Sequence, residues 1–133
     1  MLKKIFRIIC IIQLFVATFL CIYFSSQTNV DLPKVINIDK LFHFGAYFVY
    51  GLSLQVAFIA FFINSTKEKS NKKIALLVIT TGFLFALSDE IHQYFVPGRD
   101  ADILDLLTDF IGIAFSLPFL KLIQKIMNKF FLK

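Results

Sequence analysis

The sequence predicts an all-α integral membrane protein, a bundle of four helices, on three observations. Hydrophobic residues make up 58% of the 133, and the mean hydropathy is +0.77, outside the usage of soluble domains. Four apolar stretches, Ile5 to Phe24, Leu41 to Ile63, Ile74 to about Val96 and Ile103 to about Ile123, meet the roughly 20 residues that a crossing helix needs. The stretches are continuous rather than alternating, and lipid forces each backbone group to bond within its own segment, so helices are expected over strands. One membrane domain over 1–133 accounts for the whole chain.

The first helix opens on Lys3, Lys4 and Arg7, as a secretory signal would, but no small-residue cleavage site follows. Thr18, Phe19 and Leu20 also lack the small residue expected beside a lipidated Cys21, so the segment is expected to be a retained anchor. Cys10 and Cys21 stand eleven residues apart, about 16 Å along a helix, too far for a disulfide. The Ser25 to Lys40 connector contains Pro33 and suits a short interfacial link. Between the third and fourth helices, Pro97-Gly98 reads as a turn. Asp102 then precedes an apolar helix with Asp105 three residues on, the pattern of an N-cap with an acidic first turn. Lys121, Lys125, Lys129 and Lys133, four residues apart, form a basic stripe that suits anionic lipid.

Eleven of the 14 basic residues belong to the amino terminus, the loop after the second helix and the carboxyl end, against Lys34, Lys40 and Arg99 in the other two loops. The positive-inside rule then puts both termini in the cytoplasm. Eight of the nine acids, all except Glu68, belong to the opposite loops or adjoining helix ends. Because the basic residues occur in short clusters beside apolar runs, nucleic acid is not an expected partner.

Polarity concentrates between Ser88 and Gly112, where Asp89, Glu90, His92, Gln93, Arg99, Asp100, Asp102, Asp105 and Asp109 interrupt an apolar chain. Ionisable groups in membrane segments cost about 2.5 to 3.5 kcal/mol on insertion scales and mark function by default. Asp39, His43 and Tyr47 recur every four residues, Glu90 and Gln93 are three apart, and Asp105 and Asp109 four apart, so each set shares a helix face. Three helices are thus expected to direct these seven side chains into one outer-leaflet pocket. His43, Glu90 and Asp105 are the candidates for acid, base or catalytic roles, and Asp39, Lys40, Tyr47, Gln93 and Arg99 for ligand binding. Asp39, His43, Glu90, Asp105 and Asp109 are also hard ligands that could hold a divalent cation, although no dedicated metal motif is present.

Each of these has a plainer reading. Arg99 could clamp a phosphate or carboxylate, or pair with Asp105 or Glu90 to lock the bundle. Asp102 is better read as a cap, Asp39 could cap the second helix, and His92 faces away from Glu90 and Gln93. Gly112 suits close helix packing. The nucleophile elbow, the P-loop, H-E-x-x-H and the P-S-G-H segment of one class of membrane lipid phosphatases are absent.

At these residues the chain resembles the VanZ-like family. The resemblance rests on Ser25-Ser26-Gln27, Asp39-Lys40-x-x-His43-Phe44-x-x-Tyr47, Ser88-x-Glu90-x-x-Gln93-x-Phe95-x-Pro97-Gly98-Arg99 and Asp105-x-x-x-Asp109-x-x-Gly112, in that order over almost the whole chain. It implies a small bacterial inner-membrane protein of the kind that contributes to low-level resistance to teicoplanin-type glycopeptides. The family's motif residues fall here on Asp39, Lys40, His43, Tyr47, Ser88, Glu90, Gln93, Pro97, Gly98, Arg99, Asp105 and Gly112. The chain departs at Asp109, where the family usually has Asn; a second carboxylate near Asp105 would favour a protonated carboxyl by like-charge repulsion, or recruit a cation.

Three functions suit this sequence. The first is a cell-envelope protein that binds or modifies an anionic lipid-linked component, a polyprenyl phosphate or lipid II-like precursor, at the outer face of the cytoplasmic membrane. The second is a membrane enzyme acting on a lipid phosphate, and the third a structural module whose polar cluster only holds the helices together.

Overall fold

All four apolar runs are helical, because a continuous hydrophobic segment that must satisfy its own backbone has no other regular choice. The computed structural model describes residues 2–27, 38–62 and 67–131. Within them α1 spans Leu2–Ser25, α2 Ile38–Phe62, α3 Lys67–Tyr94, α4 Ile103–Ser116 and α5 Leu120–Phe131. A 3₁₀ turn, Leu117–Phe119, joins the last two, and no strand occurs among the described residues. Four segments are long and apolar enough to cross a membrane, which makes this a multi-pass helical protein. The interfacial connector expected over Ser25 to Lys40 lies outside the described residues at 28–37, as does Lys133 of the basic stripe. Cys10 and Cys21 are free thiols.

Successive long helices run antiparallel, so α2 and α4 run parallel. The end of α1, the start of α2, the end of α3 and the start of α4 meet at one end of the bundle. Half of the apolar window of α2 is buried, against 11% for α1, so α2 is the central helix and α1 faces mostly lipid. Tyr47, Tyr50, Leu54, Ile74, Val78, Ala86 and Ile113 fill the core. Two polar contacts tie α1 to α2: Gln13 Nε2 donates to Ser53 Oγ (2.6 Å), and Arg7 Nε donates to the Ala60 carbonyl (3.1 Å).

The tightest approach in the bundle is between α2 and α4. A Cβ added at Gly112 would lie 2.6 Å from the Phe44 carbonyl oxygen and 3.0 Å from the Phe48 nitrogen, and one at Gly51 would lie 2.5 Å from Ser116 Oγ. Gly112 and Ser116 thus form a small-x-x-x-small face that admits the α2 backbone, as the close-packing reading of Gly112 expects.

The fourth span departs from the expected single helix over 103–123. Pro118 supplies no backbone donor, the Leu117 N–H bonds the Ala114 carbonyl, and the Leu120 N–H turns to the Leu117 carbonyl. The Ser116 carbonyl thereby loses its usual donor four residues on. The fully buried Gln55 replaces it, its Nε2 donating to Ser116 O and Ser116 Oγ, each at 2.8 Å. The third helix also differs: it starts at Lys67 rather than 74, because the polar stretch before Ile74 continues the helix, and it stops at Tyr94 rather than Val96.

In detergent, Gly112→Ala is expected to lower the melting temperature, with a cost of about 1–3 kcal/mol for overpacking against backbone. Gly45→Ala, whose Cβ meets nothing within 4 Å, should leave stability unchanged or slightly raised. Gln55→Leu should cost roughly 1–3 kcal/mol by leaving the Ser116 carbonyl unpaired, measurable by thermal or denaturant unfolding.

Candidate functional site

The first turns of α2 carry the polar residues that meet α3 and α4. Lys40 Nζ lies 2.7 Å from Asp102 Oδ2 and 2.6 Å from Asp105 Oδ1. One turn further, His43 Nδ1 lies 3.0 Å from Asp109 Oδ1, with Nε2 4.0 Å from Asp105 Oδ2. After another turn the Tyr47 hydroxyl donates to Asp89 Oδ2 at 2.9 Å. The three- and four-residue spacing of Lys40, His43 and Tyr47 therefore works as a ladder, each rung of α2 reaching a carboxylate on a neighbouring helix.

Asp102 caps α4 as expected: its backbone is extended and its side chain accepts from the Leu104 N–H at 2.8 Å. It also pairs with Lys40, a second role that the cap reading did not include. Glu90 Oε1 accepts from the Asp102 backbone N–H, which fastens the end of α3 to the start of α4. Between them, Gly98 adopts the positive φ (85°) that a type II turn requires after Pro97, closed by Arg99 N–H donating to the Val96 carbonyl at 3.1 Å.

That reversal sends Arg99 back toward α1. Its Nε donates to the Ser25 carbonyl (3.1 Å), and Nη1 lies 3.8 Å from Asp39 Oδ1. The pairing of Arg99 with Asp105 or Glu90 considered from sequence is not formed; Asp39 and Ser25 take their place. Ser26 Oγ shares a 3.0 Å hydrogen bond with His92 Nε2, so the Ser25-Ser26 pair clasps the end of α3 and its turn. His92 is exposed and outside the cluster, as expected. Ser88 is exposed too and bonds only its own helix, at the Phe85 carbonyl.

Of the seven side chains expected to meet, six are buried: His43, Tyr47, Glu90, Gln93, Asp105 and Asp109. Their contacts gather at one end of the bundle, with His43 between Asp105 and Asp109 and Tyr47 on Asp89. A groove of about 270 Å³ runs beside them, lined by Leu87, Glu90, Ile91, Tyr94, Phe95 and Ala101, and only Glu90 joins it to the cluster. Sequence reasoning left Asp89 out of the set, yet it is 3% exposed and bonded to Tyr47. The signal was present, since Asp89 lies four residues before Gln93 on the same face.

Six carboxyl groups, Asp39, Asp89, Glu90, Asp102, Asp105 and Asp109, stand against two permanent cations, Lys40 and Arg99. Buried charge without a partner is costly, and four buried polar atoms here lack one: Asp89 Oδ1, Glu90 Oε2, Gln93 Nε2 and Asp109 Oδ2. One ligand atom each from Asp39, His43 and Asp105 lie within 4.8 Å of one another, close enough to converge on a single ion. In the neutral tautomer that carries its proton on Nδ1 and donates to Asp109, His43 keeps its Nε2 lone pair on the Asp105 side. An imidazole oriented by a carboxylate on its other nitrogen is a common arrangement behind a metal ligand.

Four membrane-length helices with a buried acidic cluster at one end define a small multi-pass membrane protein built around its own polar site. The chain belongs to the VanZ/LLP1 family, whose model matches residues 5–124, nearly its whole length. No match is found among curated proteins or among solved structures.

Lys40, and after it the Leu104 N–H, holds the Asp102 carboxyl below its ordinary value of 3.8. A carboxyl lowered on folding contributes stability that is complete above the unfolded value and fades as pH falls through the folded one. Asp102→Asn should therefore melt below the wild type at pH 7, and the gap should close as the pH drops below 3.8, in parallel scans in one detergent.

Proposed function

We propose that this protein engages the phosphate of a lipid-linked envelope component through a divalent cation held by Asp39, His43 and Asp105. The convergence of those three ligand atoms within 4.8 Å carries the reading. The surplus of carboxyl groups supports it, because a cluster of net negative charge repels a bare phosphate and attracts one bridged by Mg²⁺ or Mn²⁺. Lys40 and Arg99 stand at the rim as the side chains to receive the remaining phosphate charge. The distribution of lysines supports an arrangement with both termini cytoplasmic and the cluster in the outer leaflet of a bacterial cytoplasmic membrane. An envelope precursor such as a polyprenyl phosphate or a lipid II-like species is the ligand class that meets these demands. Altered access of a teicoplanin-type glycopeptide to its membrane target would follow from such binding.

A second reading, hydrolysis or transfer at the lipid phosphate, is favoured by the pair of His43 and Asp109. A histidine fixed by a buried carboxylate, with its other nitrogen directed at the cluster, can move a proton between water and a leaving group. Glu90, Tyr47 and Gln93 would then border the reacting groups.

Purified protein should retain a polyprenyl phosphate in the presence of Mn²⁺ and release it on chelation. His43→Ala and Asp105→Asn should weaken that retention by roughly 10- to 100-fold, the range seen when ligands or their supports are removed from metal sites. Retention that ignores both chelator and substitutions would overturn the binding reading. Release of inorganic phosphate or pyrophosphate by the wild type and not by His43→Ala would put the enzymatic reading first.

A further inference from the structure

The opposite, basic end of the bundle holds a second site of different chemistry. Where Pro118 breaks the fourth span, a groove of about 400 Å³ opens against the first turns of α3. Its floor is apolar, formed by Ala75, Leu117, Pro118 and Leu120, and Lys72 and Lys121 stand on its rim. Asn71 Oδ1 accepts from Gln124 Nε2 at 2.6 Å and pins α3 to α5 across the groove.

We infer that this groove binds one anionic phospholipid, its phosphate between Lys72 and Lys121 and an acyl chain along the apolar floor. Depth supports that occupant: the apolar run of α3 begins at Ile74, so Lys72 stands just before it, at headgroup level, and Ala75 lies within it. Charge supports it too. Both lysines are exposed, and the termini with the stretch that leads from α2 into the start of α3 together hold eleven basic residues against one acid, Glu68. The neighbouring Lys73 is committed elsewhere, its Nζ 4.6 Å from the centroid of the Phe62 ring. A neutral lipid would leave the surplus of ammonium groups at this end uncompensated. An anionic one satisfies both the rim and the floor.

The test is native mass spectrometry of the full chain in mild detergent, titrated with phosphatidylglycerol or phosphatidylcholine. The wild type should keep one phosphatidylglycerol in preference to phosphatidylcholine. Lys72→Gln/Lys121→Gln should lose that preference by about one order of magnitude or more, at roughly a factor of five per lysine. Lys125→Gln, exposed on the same helix as Lys121 but outside the groove, should keep it. Excess glycerol phosphate should not displace the lipid, because it cannot fill the floor. An unchanged preference in the double variant, an equal loss in Lys125→Gln, or displacement by glycerol phosphate would each overturn the site. Because these lysines are remote from His43 and Asp105, polyprenyl phosphate retention provides a separate readout.

Discussion

The close approach of α2 and α4 is the constraint on which the polar cluster depends. Gly112 lets the α4 backbone come within contact of Phe44 and Phe48, where any side chain would have to push the helices apart. His43 stands one residue before Phe44 and Asp109 one turn before Gly112, so the same approach sets their 3.0 Å hydrogen bond. A separation larger by about 1 Å would take that bond out of hydrogen-bonding range. Lys40 with Asp105 on one side and Gln55 with Ser116 on the other are rungs of the same seam. Because the two helices run parallel, residues at matching heights meet in sequence order, and no loop is required to bring them together.

The rest of the polar end is fastened to that seam by connections of modest individual strength. Glu90 holds the start of α4, Arg99 holds the end of α1, and Tyr47 holds Asp89 on α3. A hydrogen bond to a charged group contributes about 1.5–3 kcal/mol, while breaking one partner from a buried pair costs more, since the other charge is left stranded. The cluster therefore behaves as a unit: removing any one carboxylate or base disturbs the compensation of several others.

Much of this was legible in the sequence. Continuous apolar runs fixed the helices, and four-residue spacing fixed which faces were polar, because both depend on local periodicity. Asp102 was recognisable as a cap from its place before Ile103. What local pattern could not supply was partner choice. The turn at Pro97-Gly98 was legible, but not that it would throw Arg99 back onto Ser25 and Asp39. Asp89 was passed over because Glu90, its neighbour on a different azimuth, carries the motif. Pro118 lay in plain view, yet the apolar run continues through it. The break becomes tolerable only because Gln55, 61 residues away, offers the missing donor. Contacts of that sequence separation depend on how helices pack, and periodicity says nothing of them.

The parallel course of α2 and α4 has an electrostatic consequence of its own. Both amino-terminal ends point at the polar cluster, and each helix start carries the equivalent of about half a positive charge from its aligned peptide groups. Asp39, Asp102 and Asp105 occupy those two first turns, where peptide dipoles favour carboxylates without any cationic side chain. Two helix starts together offset about one elementary charge, which is less than the surplus of acids around them. The backbone itself thus supplies a fixed field that no substitution of a side chain can remove, and mutations in the cluster act on top of it.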